Sequence, residues 1–221
     1  MTAKPADARP PAPFNYVRDP DAIYRASFAA IQGALDLSMV PTEAHALAVR
    51  MVHACGLPDI VSSLVVTDGA VAAGRRALMA GAPILVDAEM VASGIIQRRL
   101  PRNNAVLCTL NDDGVAAEAR ARGETRSSVA VERWSGHLAG AVVVIGNAPT
   151  ALFRLLECLE AGAPEPALII GLPVGFVGAA ESKDALVAHA GNTPFVTLTG
   201  RFGGSAVAAA ALNAISGTDA P

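Results

Sequence analysis

Apolar positions change their rhythm near Gly81. Before it, they recur at helical spacing. From Asp19 onward, Ile23, Ser27, Ala30, Ile31 and Ala34 fall on one stripe of a first helix. Pro41-Thr42-Glu43 opens a second, with Thr42 as the expected N-cap, Glu43 at the positive end and Gly56 as the stop. Along it, Leu47, Met51 and Ala54 form one stripe, and Ala48, Val52 and Cys55 the next. Asp59 to Leu64 and Asp68 to Ala80 read as two further helical pieces.

Beyond Gly81 the apolar residues come in short unbroken runs bounded by Gly, Pro or Asn. The runs are Ile84 to Asp87, Ala105 to Thr109, Ala141 to Ile145, Ala167 to Ile170 and Phe195 to Thr199. Strands buried on both faces have this appearance. Helical segments separate several of them: Arg126 to Leu138, Thr150 to Glu160, Ala179 to Ala190 and Ser205 to Ile215. The alternation predicts an α/β fold, with a mostly parallel sheet of about five strands, helices on both faces and a helical N-terminal section. Residues 1–14, Pro-rich and polar, read as a flexible N-terminal arm, and 15–221 as a single α/β domain.

Composition narrows the function. Of 221 residues, 52% are apolar and only 17% charged, and mean hydropathy is +0.40, so a disordered chain is excluded. The formal net charge of -3 and an aromatic content of 4% argue against a nucleic-acid partner. No apolar run approaches the roughly 20 residues of a membrane span, and the N-terminus lacks a signal-peptide core. Cys55, Cys108 and Cys158 are far apart and odd in number, which points to a reducing compartment. A cytoplasmic protein is expected.

Candidate chemistry concentrates at three glycine-rich turns between strand and helix: Gly146 to Thr150, Gly171 to Gly178, and Gly200 to Ser205. Ligands of such sheets bind outside the carboxyl ends of the strands, and helix N-termini attract anions. None of the turns carries a dinucleotide or Walker motif, so nucleotide binding is unsupported while an anionic ligand stays open. His53 falls in the last turn of its helix, where the carbonyl end suits a proton-donating imidazole; a simple helix-ending role is the alternative. His45 reads as solvent-facing, His137 as structural and His189 as a cap. No HExxH spacing exists, so no zinc site is expected.

Asp87 and Glu89, two apart at the end of a strand, share a face. They could be a catalytic pair, an anchor for an arginine or part of a metal site, and anchoring is favoured. Arg126, at the start of its helix, could clamp a carboxylate with its planar fork or merely form a surface ion pair. Ser62 and Ser205 lack a nucleophile-elbow context. Cys55, two residues from His53 on one helix, faces another way.

Six blocks in order carry a resemblance. They are Tyr24-Arg25-Ala26-Ser27-Phe28, Arg50 to Gly56, Ile84 to Met90, Ile145 to Leu152, Pro173 to Lys183 and Gly200 to Ser205. Together, from about Asp19 to about Ile215, they resemble the precorrin-8X methylmutases of cobalamin biosynthesis. The resemblance implies an isomerase that moves a methyl group from C-11 to C-12 of precorrin-8X, giving hydrogenobyrinic acid. It implies no redox cofactor, nucleotide or methyl donor. It also implies a homodimer, His53 as the catalytic proton donor and acceptor, and Ser27 and Arg126 as substrate-binding residues. The partners it implies are the tetrapyrrole substrate and the corrinoid product, with hand-off to the next pathway enzyme. A second reading of the same cleft is a tetrapyrrole carrier without turnover, which needs no proton donor at His53.

Overall fold

The computed structural model describes residues 14–217; the arm expected at 1–14 therefore lies, apart from Phe14, outside the described residues. Helix α1 (Pro20–Ala34) starts where the Asp19 side chain accepts the Ala22 N–H and Pro20 supplies a pre-set φ at the first helical position. Helix α2 (His45–Cys55) ends on Gly56, whose φ of 70° is left-handed and whose N–H closes on the Val52 carbonyl at 2.7 Å. Its start differs from expectation. Thr42–Ala44 form a 3₁₀ turn, and no side chain caps either element.

Six strands build one sheet: β1 (Leu64–Val66), β2 (Ile84–Val86), β3 (Val106–Leu107), β4 (Val142–Ile145), β5 (Leu168–Gly171) and β6 (Phe195–Leu198). Their order is β1-β6-β5-β4-β2-β3. All neighbours are parallel except β1, which runs antiparallel to β6 with Leu64 opposite Leu198. The sheet therefore has one strand more than the sequence pattern indicated. The extra strand, β1, holds three apolar residues on the sheet edge, too few to show a period; Leu64 had read as the end of a helical piece. Pro58–Ser63 before it is a 3₁₀ segment.

Strand alternation sorts the core into two layers. Ile84, Val86, Val142, Val144, Ile170 and Val196 face one side, under α2, α3 (Ala70–Met79), α4 (Glu89–Gly94) and α9 (Ser205–Ser216). Leu85, Val143, Ile145, Ile169 and Phe195 face the other, under α6 (Arg126–Glu132), α7 (Pro149–Glu160) and α8 (Ala179–His189). Helix α5 (Val115–Arg122) packs Val115 and Ala119 on Val129 and Ala130 of α6. Both α4 and α5 escaped the sequence reading, α4 because it is a six-residue helix and α5 because it buries only those two residues. Helix α6 stops at Glu132 rather than Leu138, and the chain beyond it turns to bury Trp134 and Leu138.

At the carboxyl edge the turns after β5 and β6 press together. The Gly204 N–H donates to the Leu172 carbonyl at 2.9 Å. A Cβ on Gly203 would lie 2.3 Å from the Leu172 carbonyl oxygen and 2.5 Å from that of Pro173. Because backbone stands on the far side, a side chain has no easy way out. Gly203→Ala is expected to destabilise the protein by about 3 kcal/mol, the upper end for overpacking. Urea melts of the two proteins would measure it, and equal midpoints would show that the turns separate freely.

Candidate active site

His53 and Ser27 meet where α1 crosses the end of α2. The Ser27 Oγ lies 3.0 Å from the His53 Nδ1. Around them, Tyr24 and Phe28 stack at 4.3 Å between ring centroids, and Phe28 lies 4.8 Å from the imidazole. Arg50 donates to the Tyr24 hydroxyl at 3.1 Å and stands over the Phe28 ring. The i, i+4 spacing of Tyr24 and Phe28 and the i, i+3 spacing of Arg50 and His53 place these pairs on facing helix surfaces. That spacing was the available signal for Tyr24, Phe28 and Arg50, which sequence reasoning had not singled out as site residues. His53 is exposed, Ser27 half-buried and Phe28 buried.

The serine hydroxyl suits a proton-transferring histidine because it both donates and accepts. It can donate to a bare Nδ1 or accept from Nδ1–H, so the imidazole keeps its orientation whether it carries one proton or two. Nε2 is then the nitrogen left for a ligand. The pair opens on a groove of about 280 Å³ lined by Ser27, Ile31, Val52, His53 and Pro58. A second groove of about 550 Å³ adjoins it, sharing Ala34 and Pro58. The larger groove is within the size range of small-molecule sites, and the groove at the pair extends it.

Arg126 is not brought to this pair within one protomer. It is the first residue of α6, exposed, and donates to the Asn111 Oδ1 at 3.3 Å, beyond the end of β3. Helix α2 instead lies over β1 and β6, with Ala48 and Met51 closing on Leu64 and Leu198. Strands β1 and β3 are the opposite edges of the sheet. At ~4.8 Å per strand they stand roughly 24 Å apart.

Asp87 and Glu89 do not form a pair on a strand face. Asp87 follows β2 and turns inward, where its Oδ1 accepts the Gly146 N–H at 2.9 Å. Its Oδ2 accepts from Asn147 at 3.0 Å and Ala148 at 2.7 Å. Burial pushes its carboxyl above the usual range, against the pull of the three N–H groups. Asp87 is thus an anchor, as favoured, but for backbone rather than for an arginine. It also fills the start of α7, so the turn at Gly146 holds the protein's own anion. Glu89 opens α4 and is exposed. Burial, with Glu89 and Asp87 adding, raises the neighbouring Cys108 thiol to about 11, which keeps it protonated. No cluster of three or more His, Cys, Asp or Glu suited to a metal ion occurs among the described residues.

Of the remaining histidines, His137 is exposed, and the side chains of His45 and His189 have partners. His45 is half-buried, not solvent-facing, with its Nε2 3.0 Å from the Val40 carbonyl. His189 lies 2.9 Å from Glu160. Cys55, Cys108 and Cys158 are free. No helix among the described residues is long and apolar enough to cross a membrane.

A mostly parallel sheet with a histidine–serine pair over a groove at one corner has the architecture of an α/β enzyme. The family model of precorrin-8X methylmutase matches residues 22–217. The precorrin-8X methylmutase of Pseudomonas aeruginosa is 58% identical over 202 residues, covering 91% of this chain and 97% of that protein. The cobalt-precorrin-8 methylmutase of Priestia megaterium is 35% identical, covering 89% and 87%. A crystal structure of precorrin-8X methylmutase from Thermus thermophilus superposes with a TM-score of 0.81 at 38% identity, covering 89% of this chain and 94% of that one. The chain belongs to the precorrin-8X methylmutase family, isomerases of cobalamin biosynthesis.

The anchoring role of Asp87 has a measurable consequence. Asparagine would offer one acceptor instead of two and turn an N–H₂ group toward backbone donors. Asp87→Asn is expected to cost about 2–4 kcal/mol, since each buried donor left unsatisfied costs ~1–3 kcal/mol. Thermal or urea unfolding would detect this, and unchanged stability would remove Asp87 from the fold's supports.

Proposed function

We propose that this chain moves the methyl group of precorrin-8X from C-11 to C-12, giving hydrogenobyrinic acid, with His53 donating a proton to the macrocycle and recovering it. The observation that carries this reading is the 3.0 Å contact of Ser27 with the Nδ1 of His53 at the groove. A methyl shift within one molecule needs no methyl donor and no net redox change. Protonating the ring system redistributes its π-electrons and lowers the barrier to migration, and a histidine can give and regain a proton near neutral pH. As the proton leaves Nε2, Ser27 accepts from Nδ1–H and keeps the ring aimed for its return. The remaining acceleration comes from holding the macrocycle close to its transition-state shape.

Metal-free precorrin-8X is the substrate this reading prefers. Relatives named for precorrin-8X are 58% and 55% identical to this chain, against 35% for the Priestia megaterium relative named for cobalt-precorrin-8. Arg126 is assigned to a substrate carboxylate, for which its bidentate fork is suited. Since Arg126 flanks the sheet edge opposite His53, the two serve one macrocycle when a second copy brings its own Arg126 to the groove. A homodimer also answers a packing deficit. Helix α1 spans 15 residues yet buries only Phe28, and leaves Ile23 and Tyr24 exposed.

Two measurements test this reading. His53→Ala should slow conversion of precorrin-8X at saturating substrate by about 10²–10⁴-fold, the usual worth of general acid–base help. Affinity for hydrogenobyrinic acid should fall far less, because the interaction lost belongs to the transition state. A variant that turns over near the wild-type rate would contradict the proton-donor role, and a wild-type chain that binds the product without turnover would be a carrier. Light scattering should give twice the 22.4 kDa protomer mass; a monomer at every concentration would refute the dimer.

A further inference from the structure

The turn between β5 and α8 displays its apolar residues to water. Phe176 is 85% exposed and Val177 88%, in a protein with only six phenylalanines. Such exposure on a slack loop would carry little meaning, but this loop is held from several sides. The Gly175 N–H donates to the Arg201 carbonyl at 3.3 Å, and the Gly203–Gly204 backbone presses on Leu172 and Pro173. From α8, the Lys183 side chain is buried and its Nζ donates to the Phe202 carbonyl at 2.7 Å. Burial lowers its ammonium to about 8, and the fold accepts that cost to tie α8 to the turn. The Arg201 guanidinium stands 5.6 Å from the centre of the Phe176 ring, a cation–π arrangement that orients both side chains.

This corner is tied through the backbone to the segment that carries part of the groove wall. The Thr199 N–H, just ahead of the turn, donates to the Ser63 carbonyl at 2.8 Å. Ser63 ends the 3₁₀ segment that begins at Pro58, which lines the groove. A ring and a guanidinium fixed side by side match a flat, largely apolar ligand with carboxylates on its rim. The contact surface is ordered before the ligand arrives, so little side-chain freedom remains to be lost on binding.

We propose that Phe176 and Arg201 form a substrate-contact site, the ring lying against the macrocycle and the guanidinium holding one of its peripheral carboxylates. The proposal rests on the methylmutase reading and extends it to residues outside the histidine–serine pair. Because both side chains are exposed, replacing them removes no core packing. Phe176→Ala and Arg201→Ala are each expected to weaken hydrogenobyrinic acid binding roughly tenfold in absorbance titrations of the intact protein. The KM for precorrin-8X should rise with little change in kcat, Phe176→Tyr should bind as wild type, and Arg201→Ala should bind with a weaker salt dependence. If wild-type protein binds the product and both alanine variants bind it equally well, the contact site is refuted while the methylmutase reading stands. If affinity falls only together with a fall in the light-scattering mass, the corner joins two copies of the chain, and the proposal is overturned. If wild-type protein neither binds the product nor turns over precorrin-8X, the methylmutase reading fails and this proposal fails with it.

Discussion

Helix α9 has almost no polar face to give to water. From Val207 to Ser216 every residue but Ala214 is buried, and four consecutive ones, Ala208 to Ala211, are alanine. Its small side chains let neighbours approach closely on several sides. A Cβ on Gly94 of α4 would fall 2.7 Å from the Ala209 Cβ. Asn213, a buried polar residue of the helix, accepts the Ile96 N–H and donates to the Gly94 carbonyl, both at 2.9 Å. The most extensive helix contact of α9 is with α2, so α9 sets where the far end of α2 presents His53. Larger residues on α9 would lift α2 off the sheet. The position of His53 thus follows from alanines buried behind α2.

The carboxyl edge of the sheet carries charge in an ordered way. Between β4 and β2 stands the Asp87 carboxylate, bonded to the turn that begins α7. Cationic side chains stand to either side, Arg126 beyond β3 and Arg201 beyond β6. A buried internal carboxylate at the start of α7 leaves external carboxylates to be met elsewhere along the edge. This distribution suits a broad ligand with charge at its rim better than a compact one such as a phosphate, which would want the helix start that Asp87 already fills.

Much of the fold was legible because doubly buried strands, though short, and long helices leave strong patterns. The runs at Ile84, Ala141, Ala167 and Phe195 could hardly be anything but interior strands, and the Asp19 and Gly56 signals marked helix ends correctly. What escaped was short or depended on distant partners. Strand β1 exists because Leu64–Val66 find β6 more than a hundred residues away, which no local window contains. Glu89 looked like a strand residue because nothing local shows the chain turning into α4 just after Asp87. His53 and Ser27 were legible through the resemblance, whereas the aromatic pair around them and the separation of Arg126 required the helices to be placed.

Ser27, the partner of His53, sits in the less supported part of the molecule. Helix α1, which carries Ser27, contributes a single buried residue and touches the body chiefly through α2. A site meant to bind a reactive cofactor tightly would gain from a rigid, enclosed frame. For an intramolecular methyl shift the demands differ: the reacting carbon and its destination already belong to one molecule, so proximity is supplied by the substrate. In the proposed mechanism, what the protein adds is one well-aimed proton and a surface that favours the strained ring shape. The serine–histidine contact provides the aim. Helix α1 alone, with one buried residue, is a poor source of that surface; the pinned turns at the carboxyl edge, and a second copy of the chain in the proposed dimer, would supply it.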